Sequence, residues 1–139
     1  EIERYNEMIE TARDSGEVPK QLAGIIQHIL FGATTNEENT DLAETWVDRW
    51  RTYPGESVYH EVRSWLERPD FTDELDDIDV PTLVVHGEED VALEPERSDS
   101  LVDELDAERV LVPEAGHSSN LENPGPINEA LAAFLSEVY

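Results

Sequence analysis

The chain has 139 residues, enough for one small core, and its 34 acidic residues outnumber nine basic ones to give a formal net charge of −25. Because such a chain lacks the basic face that binds phosphate, a nucleic-acid partner is not expected. The absence of cysteine excludes disulfides, thiolate catalysis and cysteine-ligated zinc.

The first half of the chain is predicted to be α-helical. Apolar residues recur there at helical spacing in four segments, and no stretch alternates with period two. The apolar positions of the four predicted helices are Ile2, Tyr5, Met8, Ile9 and Ala12; Leu22, Ile25, Ile26, Ile29 and Leu30; Leu42, Ala43, Trp46, Val47 and Trp50; and Val58, Val62, Trp65 and Leu66.

Helix-breaking and capping residues lie between these segments. DSGEVP ends the first helix, GATTNEENT is predicted to be a loop, and TYPGES ends the third helix. Asp41 with Glu44 is predicted to cap the third helix and Ser57 the fourth, which should stop at Arg68–Pro69.

The pattern changes in the second half. VPTLVVHG (80–87) and RVLVP (109–113) are predicted to be buried strands, the first on both faces. One helix is expected to open at Pro95, and another closes the chain. This order implies parallel pairing through a right-handed crossover. Since two strands rarely form a stable open sheet, the sheet is expected to be incomplete.

A carboxylate and an imidazole follow the two predicted strands. Asp90 comes three residues after Gly87, and His117 comes four residues after Pro113. In parallel sheets functional residues collect where the strands end, and neighbouring strands lie about 4.8 Å apart. The two side chains are therefore expected to meet. A carboxylate so placed fixes the tautomer of a histidine that serves as general base in acyl transfer.

The segments PTLVVHGEEDVALEP, VLVPEAGHSSNLENP and INEALAAFL resemble the C-terminal part of the α/β-hydrolase superfamily. More loosely, RPDFTDEL and the helices before it resemble the cap of the haloperoxidase and enol-lactone hydrolase branch. The resemblance implies an incomplete α/β-hydrolase fold. It places a helical cap or lid in residues 1–75, and the strand–helix–strand–helix part of the core in residues 76–139.

The resemblance also implies a Ser–His–Asp triad, in which Asp90 matches the acid and His117 the base. The family carries its serine in G-x-S-x-G, whereas none of the eight serines here has glycine at both flanking positions. A small ester, lactone or other acyl substrate is implied, with no cofactor. This chain alone is then expected to be inactive, because its nucleophile is missing.

Three explanations remain for the missing nucleophile. The chain, which begins without Met, is a fragment of a longer hydrolase whose N-terminal half carries the serine. Alternatively, it is a natural half that assembles with a separate N-terminal chain. The third explanation is a degenerate relic or a non-catalytic interaction module.

Four residues are weaker candidates for contact with the substrate. Trp46 and Trp50 could form an apolar wall over an acyl group, although packing within the helical region is favoured. Val91 follows the acid and Ser118 follows the base. Ser118 is not expected to be the nucleophile, because a neighbour on the same loop has no strained turn to present its hydroxyl to His117.

Metal and paired-carboxylate chemistry have less support. His86, at the end of a strand, is expected to be structural, and His28 and His60 lack carboxylates at ligand spacing, so no metal site is expected. The acids at 88–90 could suggest a glycosidase pair, but consecutive loop acids usually diverge. Glu89 remains only the nearest substitute for the acid.

The acidic composition predicts a protein of a salt-rich cytoplasm. At 1 M salt the screening length falls to about 3 Å, which relieves the self-repulsion of a compact, highly charged fold. The longest apolar stretch, LAGIIQHILFGA, is short for a membrane span and carries Gln27 and His28, so no membrane partner is expected. Whether an export signal precedes residue 1 is left open.

Overall fold

A computed structural model describes residues 2–139, with the side chains of 2–5 and of Asp76 outside the description. The predicted apolar positions Ile2 and Tyr5 therefore lie outside the described side chains. The elements are α1 (Ile2–Ser15), α2 (Lys20–Leu30), α3 (Ala33–Glu38), α4 (Thr40–Trp50), α5 (Gly55–Leu66), a 3₁₀ segment (Thr72–Asp77), β1 (Leu83–Gly87), a second 3₁₀ segment (Pro95–Ser98), α6 (Asp99–Glu104), β2 (Glu108–Val112), α7 (Ser119–Glu122) and α8 (Pro124–Val138).

The chain divides into two compact units, of which the helical unit comprises the chain up to Gln27 and Asp41–Asp70. Its core consists of six apolar residues that are at most 8% exposed, namely Ile9, Ala12, Val18, Leu22, Ala23 and Val47. Helices α1 and α5 pack closely at Gly55, where a Cβ would overlap the carbonyl of Ala12. Four of these six residues, Ile9, Ala12, Leu22 and Val47, are positions of the predicted helical stripes, whereas Val18 and Ala23 were not predicted.

The second unit, which we call the α/β unit, comprises His28–Thr40 and Phe71–Tyr139. Its two strands pair in parallel, with Leu83 opposite Glu108 and Gly87 opposite Val112. Its described buried apolar residues are Phe31 and a cluster of Val112, Ala115 and Ile127, with Val85 packed against the cluster. The predicted parallel pairing in a partial α/β fold is confirmed.

The strands are less buried than predicted. In β1 only Gly87 is buried and the residues before it are half-buried, while in β2 only Val112 is buried and Glu108, Arg109 and Leu111 are exposed. The prediction of fully buried strands was wrong. Within the described residues the sheet has two strands, so each strand has an outer edge, and burial concentrates where α8 packs against β2.

Some helix boundaries also differ from the predictions. Helix α3 lies in a segment that was predicted to be a loop. The prediction missed it because its residues show no apolar periodicity; the helix is held instead by tertiary contacts described below. Both predicted caps lie inside their helices, since α4 begins one residue before Asp41 and α5 begins two residues before Ser57. An acid in the first turn still favours a helix through the macrodipole.

The two units do not divide at the predicted boundary between residues 75 and 76. Residues 28–40 group with the α/β unit, because the loops after β1 and β2 form hydrogen bonds with residues 30–34. Residues 71–75 also group with it, and the 3₁₀ segment that contains most of them contacts α6. The assignment of residues 1–75 to a cap or lid stays a prediction. Among the described residues, no helix has the length and apolar character needed to cross a membrane.

Candidate active site

Asp90 and His117 lie where the chain leaves β1 and β2, and their side chains meet. The register places the last residues of the two strands side by side, so both loops leave the same edge of the sheet. His117 Nδ1 lies 2.9 Å from Asp90 Oδ2. Because an ionised carboxylate only accepts hydrogen bonds, the neutral imidazole carries its proton on Nδ1 and leaves Nε2 as an acceptor.

The carboxylate of Asp90 is buried and held by hydrogen bonds on both oxygens. Asp90 is 6% exposed. Its Oδ1 accepts the backbone N–H groups of Ala92 at 2.8 Å and Leu93 at 3.0 Å, while Oδ2 faces His117. A buried charge is tolerated only when it is paired and hydrogen-bonded, and these contacts also fix the direction of the carboxylate.

A second imidazole, that of His86, borders the same carboxylate. His86 Nε2 lies 2.7 Å from the carbonyl oxygen of Leu93 and 3.3 Å from Asp90 Oδ2. Since both neighbours are acceptors, this nitrogen carries a proton and ties the end of β1 to the loop that contains Asp90. We call that loop, residues 88–94, the acid loop, and the loop that contains His117, residues 113–118, the base loop. Although two histidines and a carboxylate meet here, no group of three or more possible ligands within the described residues is arranged to hold a metal ion.

The imidazole of His117 is held on one side and accessible on the other. Its side chain is 40% exposed, whereas that of Asp90 is 5% exposed. The next backbone N–H, that of Ser118, donates to the carbonyl of Leu30 at 2.8 Å and fixes the chain after the histidine. An exposed basic nitrogen beside a fixed carboxylate can accept a proton from a hydroxyl group.

Three glycines bring the acid loop, the base loop and the segment after α2 into backbone contact. A Cβ on Gly32 would lie 2.8 Å from the Gly116 nitrogen, and a Cβ on Gly116 would overlap the Gly32 nitrogen. A Cβ on Gly87 would overlap the carbonyls of Ala115 and Gly116. Only glycine permits this close approach of backbone to backbone.

Glu89 holds the acid loop against α3. Its carboxylate accepts the backbone N–H of Thr34 at 2.8 Å and also the hydroxyl of that residue. A carboxylate at the first turn of a helix stabilises the helix, which explains why α3 forms without an apolar period. Because Glu89 is engaged in this way, Asp90 and not Glu89 faces His117.

Glu122 was not singled out from the sequence. Its carboxylate accepts the backbone N–H of Gly32 at 2.7 Å and that of Gly116 at 2.9 Å, and thereby joins the base loop to the segment after α2. The available sequence signal was only its place five residues after His117. Neither periodicity nor capping rules reveal a contact between residues 90 positions apart in the chain.

The four weaker candidates lie in different units. Trp46 and Trp50 belong to the helical unit, where their ring centroids are 6.1 Å apart and Trp50 packs against the apolar core. The guanidinium of Arg49 lies 4.8 Å from the centroid of the Trp46 ring. In the α/β unit, Val91 is 68% exposed and Ser118 is half-buried. A role in substrate contact stays a prediction for all four.

Proteins similar to this chain include several hydrolases. A Pseudomonas syringae pv. syringae protein, RutD, named for carbamate hydrolysis, is 39% identical over 72 residues, covering 51% of this chain and 28% of the relative. The non-heme haloperoxidase of Rhodococcus erythropolis is 29% identical over 108 residues, covering 72% of this chain and 38% of the relative. The chain therefore matches well under half the length of these curated relatives.

The fold is similar to that of a thermophilic esterase from Thermogutta terrifontis, with a TM-score of 0.84 at 27% identity. The match covers 98% of this chain and 50% of the esterase chain, so the chain corresponds to part of an α/β-hydrolase fold. The serine hydrolase (FSH1) family model matches residues 29–119, more than half of the chain and including both Asp90 and His117. The chain thus belongs to the serine hydrolase (FSH1) family.

Proposed function

We propose that this chain supplies the general base and the acid of an enzyme that hydrolyses small esters, lactones or related acyl compounds. The observation that carries the proposal is the 2.9 Å contact between His117 Nδ1 and buried Asp90 Oδ2. The similarity to an esterase, and to a relative named for carbamate hydrolysis, supports acyl-carbon chemistry.

In the proposed mechanism, His117 Nε2 takes the proton of a serine hydroxyl while the serine oxygen attacks the acyl carbon. The Asp90 carboxylate stabilises the imidazolium that forms. His117 then returns the proton to the leaving group as its bond to the acyl carbon breaks, which leaves the acyl group on the serine. A water molecule, activated by His117 in the same way, attacks that acyl group and releases the carboxylic acid product and the free serine. Because no serine of the chain lies in G-x-S-x-G, the proposed nucleophile comes from outside these 139 residues.

We further propose that the protein works in a salt-rich cytoplasm. The formal net charge of −25 supports this, since a chain of this charge repels itself at low ionic strength. The excess acid is spread along the whole chain, and Lys20 is the single lysine. The dependence of stability on salt, described in the Discussion, tests this part of the proposal.

The decisive experiment compares His117→Ala with the wild-type protein. Both are expressed from the complete gene and assayed on a panel of nitrophenyl esters and lactones. We expect kcat to fall at least about 10³-fold, because the serine loses its proton acceptor. The matched control is His60→Ala, whose side chain is 69% exposed on α5 and should leave kcat unchanged.

A fluorophosphonate probe, which labels activated serines, separates the proposal from a non-catalytic interaction module. Labelling that disappears in His117→Ala supports the hydrolase. Absence of both labelling and turnover in the wild-type protein favours the interaction module. Full turnover in His117→Ala removes the histidine from the mechanism.

A further inference from the structure

The carboxylate of Glu122 joins two backbone segments that are distant in the chain. One oxygen accepts the N–H of Gly32 at 2.7 Å, and the other accepts the N–H of Gly116 at 2.9 Å. Glu122 is half-buried, and both of these hydrogen bonds go to backbone rather than to His117. Hydrogen bonds to a charged acceptor are shorter and stronger than neutral ones, so this contact restrains both segments.

The two residues that flank His117 are both tied to residues 30–32, at the end of α2 and just after it. The N–H of Gly116 is held through Glu122, and the N–H of Ser118 donates to the carbonyl of Leu30 at 2.8 Å. The position of the imidazole therefore depends on these two anchors. Glu122 is the anchor that a side-chain substitution can remove.

The loop that contains Asp90 is held by hydrogen bonds to the same part of the chain. The residue before Asp90, Glu89, accepts the N–H of Thr34, and its own N–H donates to the carbonyl of Ala115 at 2.8 Å. Carboxylate and imidazole are thus both positioned against residues 30–34. A change at the Glu122 contact moves the base relative to the acid.

The base loop needs such restraint, because its backbone is strained. Glu114 has a φ of 55°, in the left-handed region that non-glycine residues rarely adopt. A strained turn persists only when surrounding contacts hold it. Glu122 supplies one of these contacts at Gly116, which lies two residues after Glu114.

We infer that Glu122 is a positioning residue, which fixes the imidazole of His117 through the backbone of Gly116. The inference rests on the proposed function of His117. A carboxylate suits this task because both of its oxygens accept. A glutamine would instead turn its NH₂ group towards one of the two N–H donors and lose that bond.

The test uses Glu122→Gln and Glu122→Ala in the protein expressed from its complete gene, with Glu129→Gln as the matched control. Glu129 is an exposed glutamate on α8, so its loss removes the same charge without touching the base loop. We expect kcat to fall on the order of 10-fold in Glu122→Gln and 100-fold in Glu122→Ala, since small displacements of a catalytic group are costly. KM should stay within about twofold, because substrate binding is not expected to change.

A second measurement reads the position of the imidazole without any need for turnover. In protein labelled with ¹⁵N-histidine, the nitrogen shifts of His117 should report protonation at Nδ1 in the wild type. Both Glu122 variants should move the His117 signals towards a mixture of tautomers, while the other histidines and the Glu129→Gln protein stay unchanged.

The outcomes separate the inference from the proposed function. Unchanged His117 signals in both variants overturn the inference, whatever the activity, and so does a raised KM with unchanged kcat. If Glu122→Ala does not fold, Glu122→Gln decides by the same two measurements. If His117→Ala keeps full turnover, the proposed function fails, whereas shifted His117 signals still show that Glu122 positions the imidazole.

Discussion

The helical unit and the α/β unit are stabilised in different ways. Among its described residues the helical unit contains seven buried apolar residues, six of them on its helices and the seventh, Val18, between α1 and α2. Among its described residues the α/β unit contains four buried apolar residues, together with carboxylates that accept hydrogen bonds from backbone N–H groups. The first relies mainly on apolar burial, and the second adds polar contacts between loops.

This difference matters because apolar burial is not directional, whereas a hydrogen bond restrains both distance and angle. Proton transfer needs catalytic groups held to within about 0.5 Å of their productive positions, a restraint that polar contacts can provide. We therefore expect substitutions in the helical unit to change stability. Substitutions near Asp90 and His117 should change the chemistry first.

The largest effect is expected for Asp90→Asn. An asparagine can no longer fix the His117 tautomer or balance the imidazolium charge, so kcat should fall by about 10⁴-fold. Ester hydrolysis by the protein expressed from its complete gene measures this, with Asp103→Asn, an exposed residue of α6, as control. A kcat within tenfold of wild type would contradict the role proposed for Asp90.

The next largest effect is expected in the core of the helical unit. Ile9 is 1% exposed, so Ile9→Ala leaves a cavity and should lower the free energy of unfolding by about 2–5 kcal/mol. Urea unfolding measures the loss, and kcat of the folded fraction should stay unchanged. The control is Ile78→Ala at a residue that is 43% exposed. A parallel fall in kcat would break the distinction between the two units.

A smaller effect is expected for added methyl groups, and here the units can be compared directly. Gly55→Ala and Gly116→Ala each place a Cβ against backbone and should cost about 1–3 kcal/mol. Only Gly116→Ala should also lower kcat, because it displaces the base loop. In Gly24→Ala the new Cβ meets nothing within 4 Å, so this helix should gain up to about 1 kcal/mol.

Thermal unfolding and kinetics measured on the three glycine variants provide the comparison. An equal loss of kcat in Gly55→Ala and Gly116→Ala would mean that kcat falls only because the protein is less stable. Loss confined to Gly116→Ala would sharpen the contrast between a unit that is packed and a unit that positions reacting groups.

The smallest effect on stability per contact is expected from added salt, which should stabilise both units. Raising KCl from 0.01 to 0.1 M shortens the screening length from about 30 Å to about 10 Å. The repulsion within each close like-charge pair on a helix should then weaken by at most roughly 0.2–0.5 kcal/mol, and the unfolding temperature should rise. Sucrose of the same osmolality is the control. An equal response to KCl and sucrose would argue against salt adaptation.

Local periodicity predicted most of the elements. The apolar stripes of α2 and α4 and the β-branched runs of β1 and β2 require only neighbouring residues to be recognised. Helix α3 was missed for the same reason, because it depends on the carboxylate of Glu89, 55 residues away from Thr34. The burial of the strands was overestimated, since it depends on how many strands pair and not on the composition of one strand.

The sequence by itself determined that Asp90 and His117 follow parallel strands, because the order of strands and helices constrains which loops leave the same edge. Only the tertiary structure decided which oxygen meets which nitrogen, that His86 borders the same acid, and that Glu89 and Glu122 hold the loops. Most of those contacts join residues that are distant in the chain, through one or two hydrogen bonds each. Their formation depends on three-dimensional distance and direction, which no local pattern of residue types encodes.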